Sequence, residues 1–332
     1  SWPHIQPTQD GGYRWSNFDS LVSAASAAGV EVLPILYGSP SWAVDCGGLS
    51  ESECRRVPPL GSRKARRAWQ DFLTAAVERY GPEGSFWQPQ APQPQPPLPQ
   101  VAEVPGPAAG VGPAPGAPAP YSPIEIWQVW NEPSSPTYWK PEPDANRYAK
   151  LVRLSAEALR GADSDATVLL AGLFGTPFGG QDPSLLAWRY LNRLYEAKGI
   201  KRDFDAVALH PYAPTLRGVE IQVRKARKVM KRYNDSRTEV WITEIGWGSS
   251  EEKNPLLKGL EGQKRMLRKS FNLLTSRRGW RIEAIVWFDW RDPGEFVEGC
   301  TSPFCLSAGL FDEDGNPKPA WNAYTSFAGG TP

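Results

Sequence analysis

The chain has 332 residues, with 37 Lys and Arg against 36 Asp and Glu and a formal net charge of +1. Such a balance provides no global field to attract nucleic acid or an anionic membrane, and no apolar run approaches the ~18 residues of a membrane span. The length fits two domains of ~150 residues or one α/β barrel of ~250 or more.

The pattern, taken in chain order, alternates helices and strands. Ser16 is the expected cap of a helix running to Ala28 and stopped by Gly29. The first strand is expected at Val30–Leu36, and Ser62 caps a helix ending at Gly81. Residues 88–120 break the pattern: 12 of these 33 are Pro and Glu103 is the only charge, a composition for polyproline segments and not for a core. The expected strands beyond it are Ile124–Trp130, Ala166–Leu173, Phe204–His210, Glu239–Ile245 and Ile282–Phe288, each short and apolar as strands buried on both faces are. Helices fit 144–160, 219–233, 259–278 and 318–327, and another runs from the Asp182-Pro183 cap to Gly199.

This order predicts a parallel sheet with crossover helices, best closed as a (β/α)8 TIM barrel. Only six βα units are visible, so the first two strands are expected to be missing and the chain to begin partway through a longer protein. The expected organisation is a single barrel domain over residues 1–332 with a Pro-rich insertion at about 88–120. That insertion reads as a solvated arm on the face away from the chemistry, and as a candidate partner or cell-wall contact. The basic clusters Arg63-Lys64-Arg66-Arg67 and Lys225, Arg227, Lys228, Lys231, Arg232 read as solvated helix faces. Asn234-Asp235-Ser236 matches a three-residue glycosylation sequon.

The four Cys pair most simply as Cys46–Cys54 and Cys300–Cys305, although three connectivities exist. Disulfides favour an oxidising, secreted or extracellular setting. The absence of C-x2-C and the presence of only two His argue against zinc. No P-loop, G-x-G-x-x-G or H-E-x-x-H occurs, so no nucleotide, metal or other cofactor is implied.

Chemistry concentrates at the C-terminal ends of the expected strands, where barrel enzymes place their sites. Asn131-Glu132-Pro133 ends one, His210-Pro211-Tyr212 another, and Glu244-Ile245-Gly246-Trp247 a third. The last strand carries Trp287 and then Asp289, Trp290 and Arg291, while Tyr37, Pro40 and Trp42 follow the first. Two carboxylates facing one aromatic-walled cleft suit glycoside hydrolysis: one protonates the leaving oxygen and the other attacks the anomeric carbon. Asn131 is placed to bond a sugar hydroxyl, and aromatic rings stack on sugar faces.

The stretch Trp127-Gln128-Val129-Trp130-Asn131-Glu132-Pro133 resembles the acid/base strand of clan A glycoside hydrolases. Trp241-Ile242-Thr243-Glu244-Ile245-Gly246-Trp247 is similar to their nucleophile strand, and Leu33 to Ala43 to their third strand and its loop. The nearest resemblance is to glycoside hydrolase family 39, then to family 5-like proteins. It implies a retaining double displacement, with Glu132 as acid/base and Glu244 as nucleophile. It also implies that Asn131 binds the 2-hydroxyl, that His210 and Tyr212 orient the nucleophile or line the pocket, and that Trp287 forms the floor of the sugar site. Tyr37 and Trp42 complete the expected substrate-binding set. The family's Arg on the second strand has no counterpart here. The expected carboxyl separation is ~5 Å, and the charge on Glu244 is expected to raise the pKa of Glu132. The function expected is an O-glycosyl hydrolase acting on a β-linked oligo- or polysaccharide, with a carbohydrate substrate as its partner. The other reading is a non-catalytic carbohydrate-binding or structural surface protein on a degenerate barrel, against which the intact Glu132 and Glu244 weigh.

Overall fold

The computed structural model describes residues 1–88, 119–175, 182–295 and 302–329. Most of the Pro-rich insertion, residues 89–118, lies outside these, as does Cys300 of the second expected disulfide. Seven strands form one parallel sheet: β1 (Ile35–Leu36), β2 (Ile126–Val129), β3 (Thr167–Leu170), β4 (Leu173–Phe174), β5 (Ala206–His210), β6 (Glu239–Ile245) and β7 (Ile282–Trp287). Their order is β1-β2-β3-β5-β6-β7, with β4 also paired to β5. The sheet curls as part of a (β/α)8 barrel and stays open among the described residues, with β1 and β7 at its edges. Ile35 and Val286 on those edge strands are 40% and 42% exposed.

The nine helices of the described residues are α1 (Trp2–Ile5), α2 (Ser16–Ala27), α3 (Glu51–Cys54), α4 (Arg63–Tyr80), α5 (Ala145–Ala162), α6 (Ala187–Glu196), α7 (Leu216–Arg232), α8 (Leu260–Ser276) and α9 (Pro319–Ala328). Hydroxyl and carboxylate caps start three of the longest. Ser62 Oγ accepts from Ala65 N at 2.9 Å, Asp144 from Asn146 N at 2.8 Å, and Thr215 from Gly218 N at 3.3 Å. Ser16 lies inside the first turn of α2, whose cap position is Trp15. Asp182 caps a short 3-10 turn at Pro183–Leu185, and α6 starts beyond it.

The crossover helices cover the outer face of the sheet, and one large apolar cluster fills that layer. Trp69 on α4 is fully buried and its Nε1 donates to Ser155 Oγ of α5 at 2.9 Å. A small second cluster of Leu169, Ala206 and Ala208, with Ile126 and Trp241 against it, forms on β2, β3, β5 and β6. β5 (AVALH) is buried at every position, which explains its unbroken apolar sequence.

The first strand is shorter than expected. Pro34 has no N–H to give to a ladder, and only its carbonyl is used, by Gln128 N at 3.1 Å. The expected strand at 166–173 is split, because Ala171 N donates to the Tyr148 hydroxyl at 2.6 Å instead of to a neighbouring strand. Cys46 and Cys54 are joined as expected. Behind β7, a buried ion pair between Lys318 and Asp292 ties the start of α9 to the loop that leaves the last strand. No helix of the described residues is long and apolar enough to cross a membrane.

Candidate active site

β2 delivers Glu132 by an unusual turn. Trp130 has φ 73° and Glu132 has φ 40°, a left-handed conformation that costs residues with a Cβ about 1–2 kcal/mol each. The loop holds this turn: Ser135 N donates to Glu132 O at 2.8 Å and Trp130 Nε1 to Tyr138 O at 2.9 Å. The Glu132 side chain ends 8% exposed beside His210.

His210, the last residue of β5, is fully buried and touches both acidic partners. Its Nδ1 lies 2.8 Å from Glu132 Oε1 and 3.4 Å from Glu244 Oε2, and its Nε2 lies 3.0 Å from Thr243 Oγ1. A carboxylate only accepts, so when Glu132 is ionised the ring proton sits on Nδ1 and the Thr243 hydroxyl donates to Nε2. The ring has room only because residue 172 is glycine. A Cβ there would sit 1.8 Å from His210 Nε2 and 2.2 Å from its Cδ2.

Thr243 and Glu244 are neighbours in β6, yet both reach His210. Successive residues of a regular strand face opposite sides. The β6–β7 register shifts between Ile242 and Ile245, an irregularity that lets Glu244 turn to the same side as Thr243. Tyr212 OH donates to Glu244 Oε2 at 3.0 Å, and Tyr212 is itself held by Gln222 Nε2, which donates to its carbonyl at 2.8 Å. Phe174, Phe288 and Phe304 surround the Tyr212 ring with centroids at 6.2, 6.4 and 5.4 Å.

Burial dominates the electrostatics. It pushes the Glu132 carboxyl up to about 8. Glu244 rises to about 7, first through burial and then through the charge of Glu132, against the opposing His210 and the Tyr212 hydrogen bond. Loss of solvent, and not the charge on Glu244, is therefore the main cause of the Glu132 shift. Burial lowers His210, which keeps the imidazole neutral near pH 7. Asp289, also raised by burial, adds its charge to the upward push on Glu244.

The other expected residues divide. Asn131 is partly buried beside Glu132, and its buried Oδ1 has no partner among the described residues. Tyr37 packs edge-on against Trp130 at 4.9 Å, next to Tyr138 at 6.2 Å. Trp42 packs against Trp2 at 5.5 Å and donates to Gln6 O at 3.1 Å. Trp287 is 6% exposed, donates to Ala308 O at 3.0 Å and faces Trp247 and Phe271. Among the described residues, no ring contact or hydrogen bond joins Trp42 or Trp287 to the carboxylates. Strand alternation turns Trp287 toward α8, and Phe288 takes the position beside Tyr212. Trp290 and Arg291 are exposed. His210 bonds chiefly to the expected acid/base, and it is Tyr212 that bonds the expected nucleophile.

Sequence reasoning missed Thr243, Tyr138 and the Phe174, Phe288 and Phe304 rings. Tyr138 faces the site, since the charges of both Glu132 and Glu244 help burial raise its hydroxyl. Thr243 adjoins Glu244 and could have been found there, whereas the loop residues Tyr138 and Phe304 carry no local signal. Glu132, His210 and Glu244 each offer one ligand atom within 4.8 Å of the others, and are the only such group among the described residues. A metal ion bound here would meet these three.

Residues 136–324, more than half of the chain, match the family described as glycosyl hydrolase catalytic core. The chain belongs to this family. The matched span holds His210, Tyr212, Thr243 and Glu244, while Glu132 lies just ahead of it. No curated protein matches it in sequence. Among solved structures it is similar to a monomeric β-xylosidase from Caulobacter crescentus, with TM-score 0.58 and 18% identity over 96% of this chain. It spans 58% of that enzyme's length. Xylanase 10B from Thermotoga maritima is similar at TM-score 0.59 and 16% identity, covering 98% of this chain and 82% of the xylanase. A family 39 enzyme from Xanthomonas axonopodis pv. citri gives TM-score 0.57 and 17% identity, with 96% and 55% covered. At these identities the likeness is one of fold.

Proposed function

We propose that this glycosyl hydrolase cleaves a β-linked saccharide with retention of anomeric configuration. The observation that carries the reading is the pairing of Glu132 and Glu244 at two strand tips, with one oxygen of each within 4.8 Å of the other. Retaining enzymes hold their carboxyls about 5–5.5 Å apart, and inverting enzymes leave about 6.5–9.5 Å for a water. Glu244 attacks the anomeric carbon while Glu132 gives its proton to the leaving oxygen. The proton belongs on Glu132, the more deeply buried and weaker acid of the pair. Once Glu244 is esterified its charge is gone, the Glu132 carboxyl becomes a stronger acid, and it takes a proton from the incoming water. Asn131 receives the sugar 2-hydroxyl on its unpartnered Oδ1. His210 holds Glu132, Tyr212 holds Glu244, and Tyr37 with Tyr138 lines the cleft.

The chain is read as one barrel-type domain. The Cys46–Cys54 bond supports a secreted enzyme. The xylosidase and xylanase among the similar structures make β-xylosides the first substrates to try. The test is hydrolysis of aryl β-xyloside, glucoside, galactoside and arabinoside by this chain and by Glu244→Gln, with the first-formed anomer read by NMR. Activity lost in the variant, with the β-anomer formed first, is expected. An α-anomer formed first, or an undiminished variant, overturns the assignment.

A further inference from the structure

The net charge of +1 conceals a strongly uneven distribution. On α6, Arg189 and Arg193 are one helical turn apart. On α7, Lys225, Lys228 and Arg232 follow at i, i+3 and i+7, so each set forms a stripe along its helix. α6 and α7 are neighbours, and the two stripes face each other across a groove of about 500 Å³. All five cations are exposed, and no acidic side chain lines the groove. Arg193 is bonded to Ser184 O and Arg232 to Asn192 Oδ1, and the exposed Asp182 lies near enough to Arg193 and Arg189 to feel their charges. None of the five forms an ion pair among the described residues. At the same groove Trp188 is partly buried, with Lys225 Nζ 4.2 Å from its ring centroid. Beyond Arg193 the lining changes: a neighbouring pocket sets Glu142 and Asp144 beside Arg147 and Arg193, so the cationic stretch is confined to the α6–α7 groove.

We propose that the α6–α7 groove is a second saccharide site, separate from the catalytic cleft, that takes a carboxylate-bearing polysaccharide chain. Five exposed cations in two facing rows, with no acid lining the groove between them, fit a linear polyanion with regularly spaced charges. An aromatic ring, an amide and a hydroxyl among them suit a sugar face and its hydroxyls better than a lipid surface does. The stripe on α7 spans eight residues, or roughly 10 Å of helix rise, enough to engage more than one sugar unit. The choice of polysaccharide over nucleic acid rests on the glycosidase reading above. The groove holds the polymer on the helical layer, outside the Glu132–Glu244 cleft.

The test uses the full chain carrying Glu244→Gln, so that binding is measured without turnover. Affinity for an oligogalacturonate is compared with that for a neutral xylo-oligosaccharide and a DNA duplex, by calorimetry at 50 and 200 mM salt. Oligogalacturonate is expected to bind more tightly than either, and to weaken at high salt as screening sets in. Arg193→Glu with Lys225→Glu should lower its affinity by about tenfold or more, and Trp188→Ala by a smaller factor. Arg193 and Lys225 are exposed and Trp188 is partly buried, and the Tm of each variant verifies folding. Equal affinity for the neutral sugar, tighter binding of DNA, or an unchanged affinity in the double charge reversal overturns the proposal. The charge-reversal variant made without Glu244→Gln should keep the parent's rate on a small aryl glycoside. A parent chain that binds oligogalacturonate but hydrolyses no aryl glycoside counts against the catalytic reading alone.

Discussion

Glu132 connects protonation to stability. Its folded carboxyl titrates near 8, far above the ~4.3 of an unfolded Glu. Its contribution is complete below about pH 4.3 and is lost as the pH rises through about 8, because ionisation then has to occur in a buried site. Glu132→Gln stays neutral throughout. The variant should match the parent in Tm near pH 4 and exceed it by at least ~2 °C at pH 8, as followed by thermal melts across that range. A difference independent of pH would contradict the assignment. Tyr212 acts on the partner acid with the opposite sign. Its hydroxyl favours ionised Glu244, so Tyr212→Phe should raise that pKa and move the acid limb of the rate profile to higher pH. kcat/KM should fall by about tenfold on the acid side and less above pH 7.5. A uniform fall at every pH would give Tyr212 a merely structural role. Both carboxylates were legible in the sequence because each stands at the end of an apolar run. Tyr138 was not, since it reaches the site only after Trp130 has bonded back to its carbonyl.

Among elements, the closest fit is where the residues between β3 and β4 pass over the tip of β5. Gly172 lets the His210 ring lie almost on the backbone, and the break at Ala171 is what turns the chain there. Gly172→Ala would force the ring to move by an ångström or more. The expected result is a loss of about a hundredfold in kcat with a lower Tm, measured on the aryl glycoside that the parent hydrolyses. Retention of full activity would show that His210 need not stay where it is. The glycine was visible in the sequence, but its reason was not, because the ring it accommodates lies 38 positions away. The strands themselves were easily read where the apolar run is unbroken, as in β5, which is buried at every position. The first was overestimated: Val32 and Leu33 look like strand residues, but Pro34 leaves the ladder with a carbonyl and no donor. The packing of Trp287 against Trp247 and Phe271 was not legible for a related reason. Composition reveals an aromatic at a strand end, whereas the side to which it points depends on the register shift in the β6–β7 pair.

At the scale of the whole molecule, the alternation of short apolar runs with capped helices was enough to give a partial barrel, and the turn from fold to function rested on two glutamates and a histidine. The surface was harder to read. The cations at Lys225, Lys228 and Arg232 look like an ordinary solvated helix face until α6 brings its own row alongside. The open sheet has a consequence for its motions. Among the described residues, β5 is paired on both sides and buried throughout, while β1 and β7 each have a neighbour on one side only. Local opening needs fewer broken bonds at a border than in the middle. Deuterium should therefore enter the sheet from its borders inward, reaching β7 and β1 amides within the time that β5 stays unlabelled. Peptide-resolved hydrogen exchange would record this order as a gradient of protection across the strands, with His210 and its two acids anchored toward the slow-exchanging middle.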